Sequence, residues 1–277
     1  MSLMLNKGGF FMNIKLIVVD MDGTFLNDDS QFNSETFQLL KENCADQDIR
    51  FVFCTGKQCE RVENIVGDLA TNTFIVGDSA TRIKYNGDFI YNAEIENQKA
   101  KEIIDTIREI DDTQTILACS KTGAYVLDNI SESEKRHVHG SYQHVNYIKD
   151  YNDIEEDLLK ITVHDASGHC KETADRLKHF EKDVYIVASD EAWIDIADLG
   201  VNKGTTINRI QNLLQITPAE TIAFGDGYND LDLFKAAKYK VAMDNAYPEL
   251  KKEANLIAIN NNEDGVVQTL NLLLGFK

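Results

Sequence analysis

Two carboxylates two residues apart, Asp20 and Asp22, stand where the apolar run Ile17-Val18-Val19 stops, and Gly23 and Thr24 follow them. The run reads as a buried strand. Residues just past the carboxyl end of such a strand lie where open α/β sheets hold their ligands. Two acids there can divide a reaction, one attacking or binding metal while the other moves protons. Gly23 lets the chain turn sharply, and Thr24 can hydrogen-bond within the turn. An Asp-x-Asp-Gly turn also suits a calcium loop or a plain strand-to-helix connection, so the pair alone does not decide.

Three further short motifs share that setting: Thr55-Gly56, Lys203-Gly204, and Gly225-Asp226-Gly227-Tyr228-Asn229-Asp230. Taken singly, each has a plain structural explanation. Lys203 would be a solvated helix residue, Thr55-Gly56 a strand-to-helix turn, and Gly225-Asp226-Gly227 a turn signal.

The elements around them explain the shared setting. Residues 14–19 read as a strand, and Asn33 or Ser34 can cap a helix running to about Cys44. Residues 49–54 form a second strand, 58–69 a helix with Val62, Ile65, Val66 and Leu69 at helical spacing, and 73–76 a third strand. Strand and helix alternate, the mark of a parallel sheet. The texture then changes. Asn86-Gly87 between two β runs over 82–91 signals a hairpin. A helix at 97–110, strands at 114–119 and 123–128, a polar stretch to about Asp157, a strand at 158–164, a helix at 170–182 and a strand pair at 184–189 and 192–197 read as α+β. The parallel pattern resumes with helix 203–214, strand 221–225, helix 229–238, strand 240–243, helix 247–254, strand 256–259 and helix 264–274. The expected fold is α/β: a doubly wound, mostly parallel Rossmann-like core sheet over 12–83 and 195–277, with an α+β cap domain at 84–194 inserted into it.

The chain has 277 residues, 43% hydrophobic and 27% charged, ordinary values for a globular protein. No apolar run reaches the ~20 residues of a membrane helix. Residues 1–11 lack the basic region, apolar stretch and cleavage site of a signal peptide, and are expected to be an extension outside the fold. A net charge of −18 should repel nucleic acid and anionic membranes, so neither is an expected partner. The five cysteines form no C-x-x-C pair, which fits reduced thiols and a cytoplasmic location. His137 and His139 could share a strand face and hold a metal, but no further ligand pair completes such a site. Trp193, beside Ile194 and Ile196, reads as core.

The four motifs, in this order and with a cap-sized insertion between the second and third, resemble the haloacid dehalogenase superfamily. The resemblance is closest to its Cof-type (subfamily IIB) sugar-phosphate phosphatase branch, and it covers nearly the whole chain after Met12. Val241-Ala242-Met243-Asp244-Asn245-Ala246 and Asp264-Gly265-Val266 also look like that branch. The resemblance implies a phosphatase acting on a small phosphorylated metabolite. Asp20 would be the nucleophile, forming an aspartyl-phosphate, and Asp22 the acid and base. Thr55, the Gly56 amide, Lys203 and Asn229 would bind the phosphoryl group. Mg2+ would be held by Asp20, the main-chain carbonyl of Asp22 and Asp226, with Asp230 supporting from behind. An oxygen-only site suits that ion, and its charge lets an anionic carboxylate approach an anionic phosphate. A related phosphomannomutase-like transferase, or a sensor of phosphorylated metabolites that keeps the fold without turnover, are the alternatives.

Three positions depart from the branch. Lys57 stands where Arg is common, which keeps the charge but loses the bidentate fork. Asp78-Ser79-Ala80 stands in place of Asn-Gly-Ala, and the extra carboxylate could hydrogen-bond a sugar hydroxyl. Asp244 replaces a usual Gly.

Overall fold

The structure, a computed structural model, describes residues 13–189 and 191–276; the extension expected at 1–11 lies outside the described residues. The chain builds two sheets. In order, the first core segment contains β1 (Leu16–Val19), α1 (Ser34–Asp46), β2 (Arg50–Cys54), α2 (Cys59–Val66), β3 (Thr73–Gly77), β4 (Arg82–Tyr85) and β5 (Asp88–Asn92). The cap follows with α3 (Asn97–Ile110), β6 (Thr115–Ser120), β7 (Gly123–Leu127), α4 (Glu132–Ser141), β8 (Val145–Ile148), β9 (Lys160–His164), α5 (Cys170–Arg176), β10 (Val184–Ala188) and β11 (Trp193–Asp198). The core then resumes with α6 (Lys203–Leu214), β12 (Thr221–Gly225), α7 (Asp230–Lys235), β13 (Tyr239–Met243), α8 (Pro248–Glu253), β14 (Leu256–Ala258) and α9 (Gly265–Leu274).

The four residues of β1 are buried, as a strand covered on both faces requires. The core sheet runs β14-β13-β12-β1-β2-β3-β4-β5. Its strands from β14 to β3 are parallel, and their order is that of doubly wound dinucleotide-type sheets. The order reverses between β1 and β12. Val19 pairs with Phe224 there, so the residues that follow, Asp20 and Gly225-Asp226, emerge side by side in the switch-point crevice. α1 is capped by Asn33, whose side chain accepts from the Thr36 amide, and it buries Phe37, Leu40 and Cys44 as their spacing predicts.

Two borders differ from the sequence expectation. The hairpin β4–β5, expected at the start of the cap from residue 84, belongs to the core sheet, where β4 pairs antiparallel with β3. The Asn-Gly turn was legible, but which sheet the hairpin joins is set by the short link from β3, which leaves β4 nowhere to go but alongside it. At the far end β11 continues in the cap sheet to Asp198, past the expected border at 194. The cap sheet, β10-β11-β9-β6-β7-β8, carries α3 and α5 on an apolar face built from Ile103, Ile107, Ile161, Val163, Ile194 and Ile196. The polar stretch before Asp157 contains α4 and the edge strand β8, neither of which was legible. Val138 is the only buried residue of α4, too little for a helical stripe. His137 and His139 therefore lie on a helix, where two residues apart do not share a face. Among the described residues, no helix is long and apolar enough to cross a membrane.

Candidate active site

The motif residues converge at the carboxyl ends of β1, β2 and β12. Lys203 opens α6, whose first turn is fixed by a reciprocal cap: the Asn202 side chain accepts from the Thr205 amide, and the Thr205 hydroxyl accepts from the Asn202 amide. From there its ammonium reaches Asp20 Oδ1 at 2.6 Å and Asp230 Oδ1 at 2.7 Å. Asp230, at the start of α7, turns its other oxygen to the amides of Asp226 and Gly227, both at 3.0 Å. Both Asp230 oxygens are thus engaged, and its carboxylate braces the Asp226 loop. Asp226 Oδ1 accepts the Thr24 hydroxyl at 2.7 Å. Gly23, with φ of +69°, sits so close that a Cβ there would lie 2.3 Å from Asp226 Oδ2.

Asp20, Asp226 and Asp230 offer oxygens that all lie within 4.8 Å of one another. Burial, then Asp230 and Asp226, push the Asp20 carboxyl well above its usual range, against the pull of Lys203. Burial and Asp230 raise Asp226 to about 7. Burial alone would depress the Lys203 ammonium, but Asp20 and Asp230 more than reverse this and hold it well above its usual range. Three carboxylates against one ammonium leave two negative charges when ionised, and the donor atoms are all oxygen. That set fits a hard dication such as Mg2+.

Around this cluster lies a cavity of about 490 Å³ between core and cap. Asp20, Asp22, Thr55, Gly56, Asp226 and Asn229 all line it. Thr55 is buried, with its hydroxyl accepting from the Lys57 amide at 3.2 Å. Asp22 is exposed, and its Oδ1 lies 2.9 Å from the buried Lys57 ammonium. The Lys that replaces the branch's Arg therefore meets the second carboxylate of the first motif. Asp78 does not face the cavity, contrary to the sugar-hydroxyl expectation. It is fully buried, 3.6 Å from Arg82, on a loop where Asp78, Ser79 and Ala80 all have positive φ. Burial raises its pKa to about 6. Asp244 is exposed near Lys251 and does not line the cavity.

Sequence reasoning found nothing on the cap side. There Lys160, buried at the start of β9, donates to Gly56 O at 2.9 Å, Ser79 Oγ at 2.8 Å and Asp195 Oδ1 at 3.2 Å. Thr162 donates to Asp195 at 2.8 Å and accepts from Tyr142 at 3.2 Å. Asp195 pairs with Thr162 across β11 and β9, so both project from one face of the cap sheet. The alternation Lys160, Thr162, His164 is a legible signal of that face. Trp193 packs against the buried cluster of Leu117, Cys119 and Val138, as a core residue would, and being half-buried it also lines the cavity. Tyr228, unassigned from sequence, stacks on the cavity-lining Tyr247 at 4.4 Å.

A Rossmann-like core gathers paired aspartates at its switch point beneath a cap, an arrangement suited to metal-assisted phosphoryl transfer. The family model of haloacid dehalogenase-like hydrolases matches residues 17–270, and the chain belongs to that family. It is 27% identical over 264 residues to the 5-amino-6-(5-phospho-D-ribitylamino)uracil phosphatase YbjI of Escherichia coli K12, covering 95% of this chain and 97% of that one. It is 30% identical over 273 residues to a putative phosphatase of Streptococcus pyogenes serotype M6, covering 94% and 98%. The crystal structure of SMU.1108c from Streptococcus mutans UA159 superposes with a TM-score of 0.90 at 25% identity, covering 95% and 99%. The protein is a Cof-type phosphatase, a phosphoric monoester hydrolase acting on phosphorylated small molecules.

Proposed function

We propose that this phosphatase hydrolyses small phosphate monoesters, sugar phosphates or related metabolites, through an aspartyl-phosphate on Asp20, with Mg2+ as its metal. The observation that carries the reading is the cluster of Asp20, Asp226 and Asp230 at the switch point, with the Lys203 ammonium bridging Asp20 and Asp230. In this reading Asp20, the main-chain carbonyl of Asp22 and Asp226 hold the ion, while Asp230 orients Lys203 and the Asp226 loop. A bound ion would supply the charge neutralisation that lets carboxylate and phosphate approach. Asp20 attacks phosphorus in line with the leaving oxygen. Lys203, the Thr55 hydroxyl, the Gly56 amide and the Asn229 side chain donate to the phosphoryl oxygens. Asp22, exposed at the cavity wall, gives its proton to the leaving alkoxide, then takes one from the water that cleaves the acyl phosphate. The cap excludes bulk water while the intermediate forms. The name of the Escherichia coli relative puts a phosphorylated polyol bearing a heterocycle on the substrate panel. The test is phosphate release from a panel of monoesters, with Mg2+ and with EDTA. We expect release that needs the metal and disappears in Asp20→Asn. Release that persists in Asp20→Asn refutes the nucleophile, and release that persists in EDTA refutes the metal.

A further inference from the structure

The side chain that is to give and take a proton, Asp22, is 57% exposed. Among the described residues, the one group paired with its carboxylate is the Lys57 ammonium, 2.9 Å from Oδ1. Lys57 is itself held firmly. Its side chain is buried, its amide donates to the Thr55 hydroxyl at 3.2 Å, and its carbonyl accepts from the Asp78 amide at 2.7 Å. A buried stem on a fixed backbone delivers the ammonium to one place. A general acid must stand within hydrogen-bond reach of the leaving oxygen. With Oδ1 at the ammonium, Asp22 keeps Oδ2 for the proton, and the positive charge stabilises the carboxylate left when that proton goes.

The cap completes the support. α4 ends at Ser141, and carbonyls in the last turn of a helix lack partners within it. The core supplies them. Gly140 O accepts from Lys57 Nζ at 3.4 Å and from Arg61 Nε at 3.2 Å, and Ser141 O accepts from the Gln58 amide at 3.1 Å. Cations suit a helix carboxyl end. In return, the buried Gln58 side chain accepts from the Gln143 amide at 2.8 Å and the His144 amide at 3.2 Å. The Lys57 ammonium thus sits between Asp22 on the core and Gly140 on the cap, and its chain neighbour grips the same cap turn.

We infer that Lys57 is the positioning residue for Asp22, and that docking of the cap turn at 140–144 fixes Lys57 in that role, so that the acid is aimed when the cap is seated. The inference rests on the phosphatase reading, with Asp22 as its acid, and adds what aims that acid.

The experiment compares two aryl esters of similar shape, p-nitrophenyl phosphate and phenyl phosphate, on the full chain with Mg2+. Nitrophenolate leaves as a stable anion. Phenolate, about as basic as a tyrosine side chain with its pKa of about 10, gains from a proton in the transition state. The readout is the ratio of kcat/KM for the nitrophenyl ester to that for the phenyl ester. Lost structure or lost phosphate binding lowers both values and leaves the ratio alone. We expect Lys57→Met to raise the ratio about 10- to 100-fold, the scale of a displaced catalytic group, and Asp22→Ala to raise it at least as far. Lys57→Gln, a neutral donor, should act as Lys57→Met does, while Lys57→Arg keeps the charge and should restore most of the parent ratio. Gln58→Ala should raise the ratio in the same direction, since its two amide partners belong to exposed residues that water can serve. A parental ratio in both neutral Lys57 variants, beside a raised one in Asp22→Ala, overturns the inference and leaves the phosphatase reading standing. A parental ratio in Gln58→Ala overturns the cap's part in it. An unchanged ratio in Asp22→Ala, or a parent that cleaves the nitrophenyl ester alone, refutes the acid and the inference with it. Cleavage of neither ester by the parent overturns both readings.

Discussion

Gly23→Ala tests whether the turn after Asp22 sets the position of the Asp226 carboxylate. The new methyl would lie 2.3 Å from Asp226 Oδ2. Ordinary carbon–oxygen contacts start near ~3.3 Å, so one of the two groups must retreat by about 1 Å. The Thr24 hydroxyl holds Asp226 Oδ1 at 2.7 Å and resists the retreat. A misplacement of about 1 Å in a catalytic group costs about 100-fold in rate. The left-handed backbone, φ +69°, adds a folding cost of about 1–2 kcal/mol for an L-residue. Gly275→Ala is the matched control, because Gly275 has φ of +70° and ψ of +26° with nothing within 4 Å of the new methyl. Both variants should lose about 1–2 kcal/mol in urea unfolding. Only Gly23→Ala should lose about 100-fold in kcat, with a raised Mg2+ requirement. If Gly23→Ala keeps kcat within about threefold of the parent, the Gly23 contact does not set the position of Asp226. If Gly275→Ala loses as much rate, backbone strain rather than the carboxylate is the cause.

Three further outcomes are expected. In metal-free protein, Lys203→Met should cost about 3–5 kcal/mol near neutral pH by leaving buried carboxylates uncompensated. The deficit should shrink as those carboxylates take up protons on acidification, and urea midpoints at pH 7.5 and 5.5 that show the same gap would contradict this. Asp78 has its folded pKa raised from 3.8 to about 6, so the native state holds that proton longer than the unfolded chain does. Its contribution therefore falls as pH climbs through that window, by up to about 3 kcal/mol, and unfolding of Asp78→Asn should show a flatter pH profile between those limits. Lys160→Met removes three hydrogen bonds that tie β9 to two core loops and to Asp195. It should lose about 3–5 kcal/mol in urea unfolding, and Lys160→Arg should not restore this, because a flat fork cannot meet three acceptors placed around a point charge.

The core of the site was legible because its residues stand where strands end. Asp20, Thr55 and Asp226 each follow an apolar run, and the parallel pattern alone predicts that such ends gather in one crevice. Lys203 was legible as a helix start. The cap's half of the cavity was not, since Lys160, Thr162 and His164 alternate just as solvent-facing residues do. Alternation gives the face of a strand but not what lies against that face. The same limit hid the Lys57–Asp22 contact, which depends on loop conformation, and the burial of Asp78, which depends on three successive left-handed residues that no local propensity favours. α4 escaped because a helix with one buried side chain has no periodic signal.

The placement of β12 beside β1 has a consequence for the order of events at the ribosome. Thr24 and Asp226, which meet across the switch point, are separated by 202 positions in the chain. At about 5–20 residues per second, roughly 10–40 s pass between the emergence of the first aspartate and that of its partner. The cap sheet, by contrast, is one uninterrupted segment from β6 to β11 and can pair its strands in that interval. In the proposed reading the nascent protein thus carries its nucleophile early but lacks the rest of the acidic cluster until Asp226 and Asp230 arrive. On that reading catalytic competence comes late in synthesis, and a polypeptide stalled before β12 is chemically silent however well its earlier parts have folded.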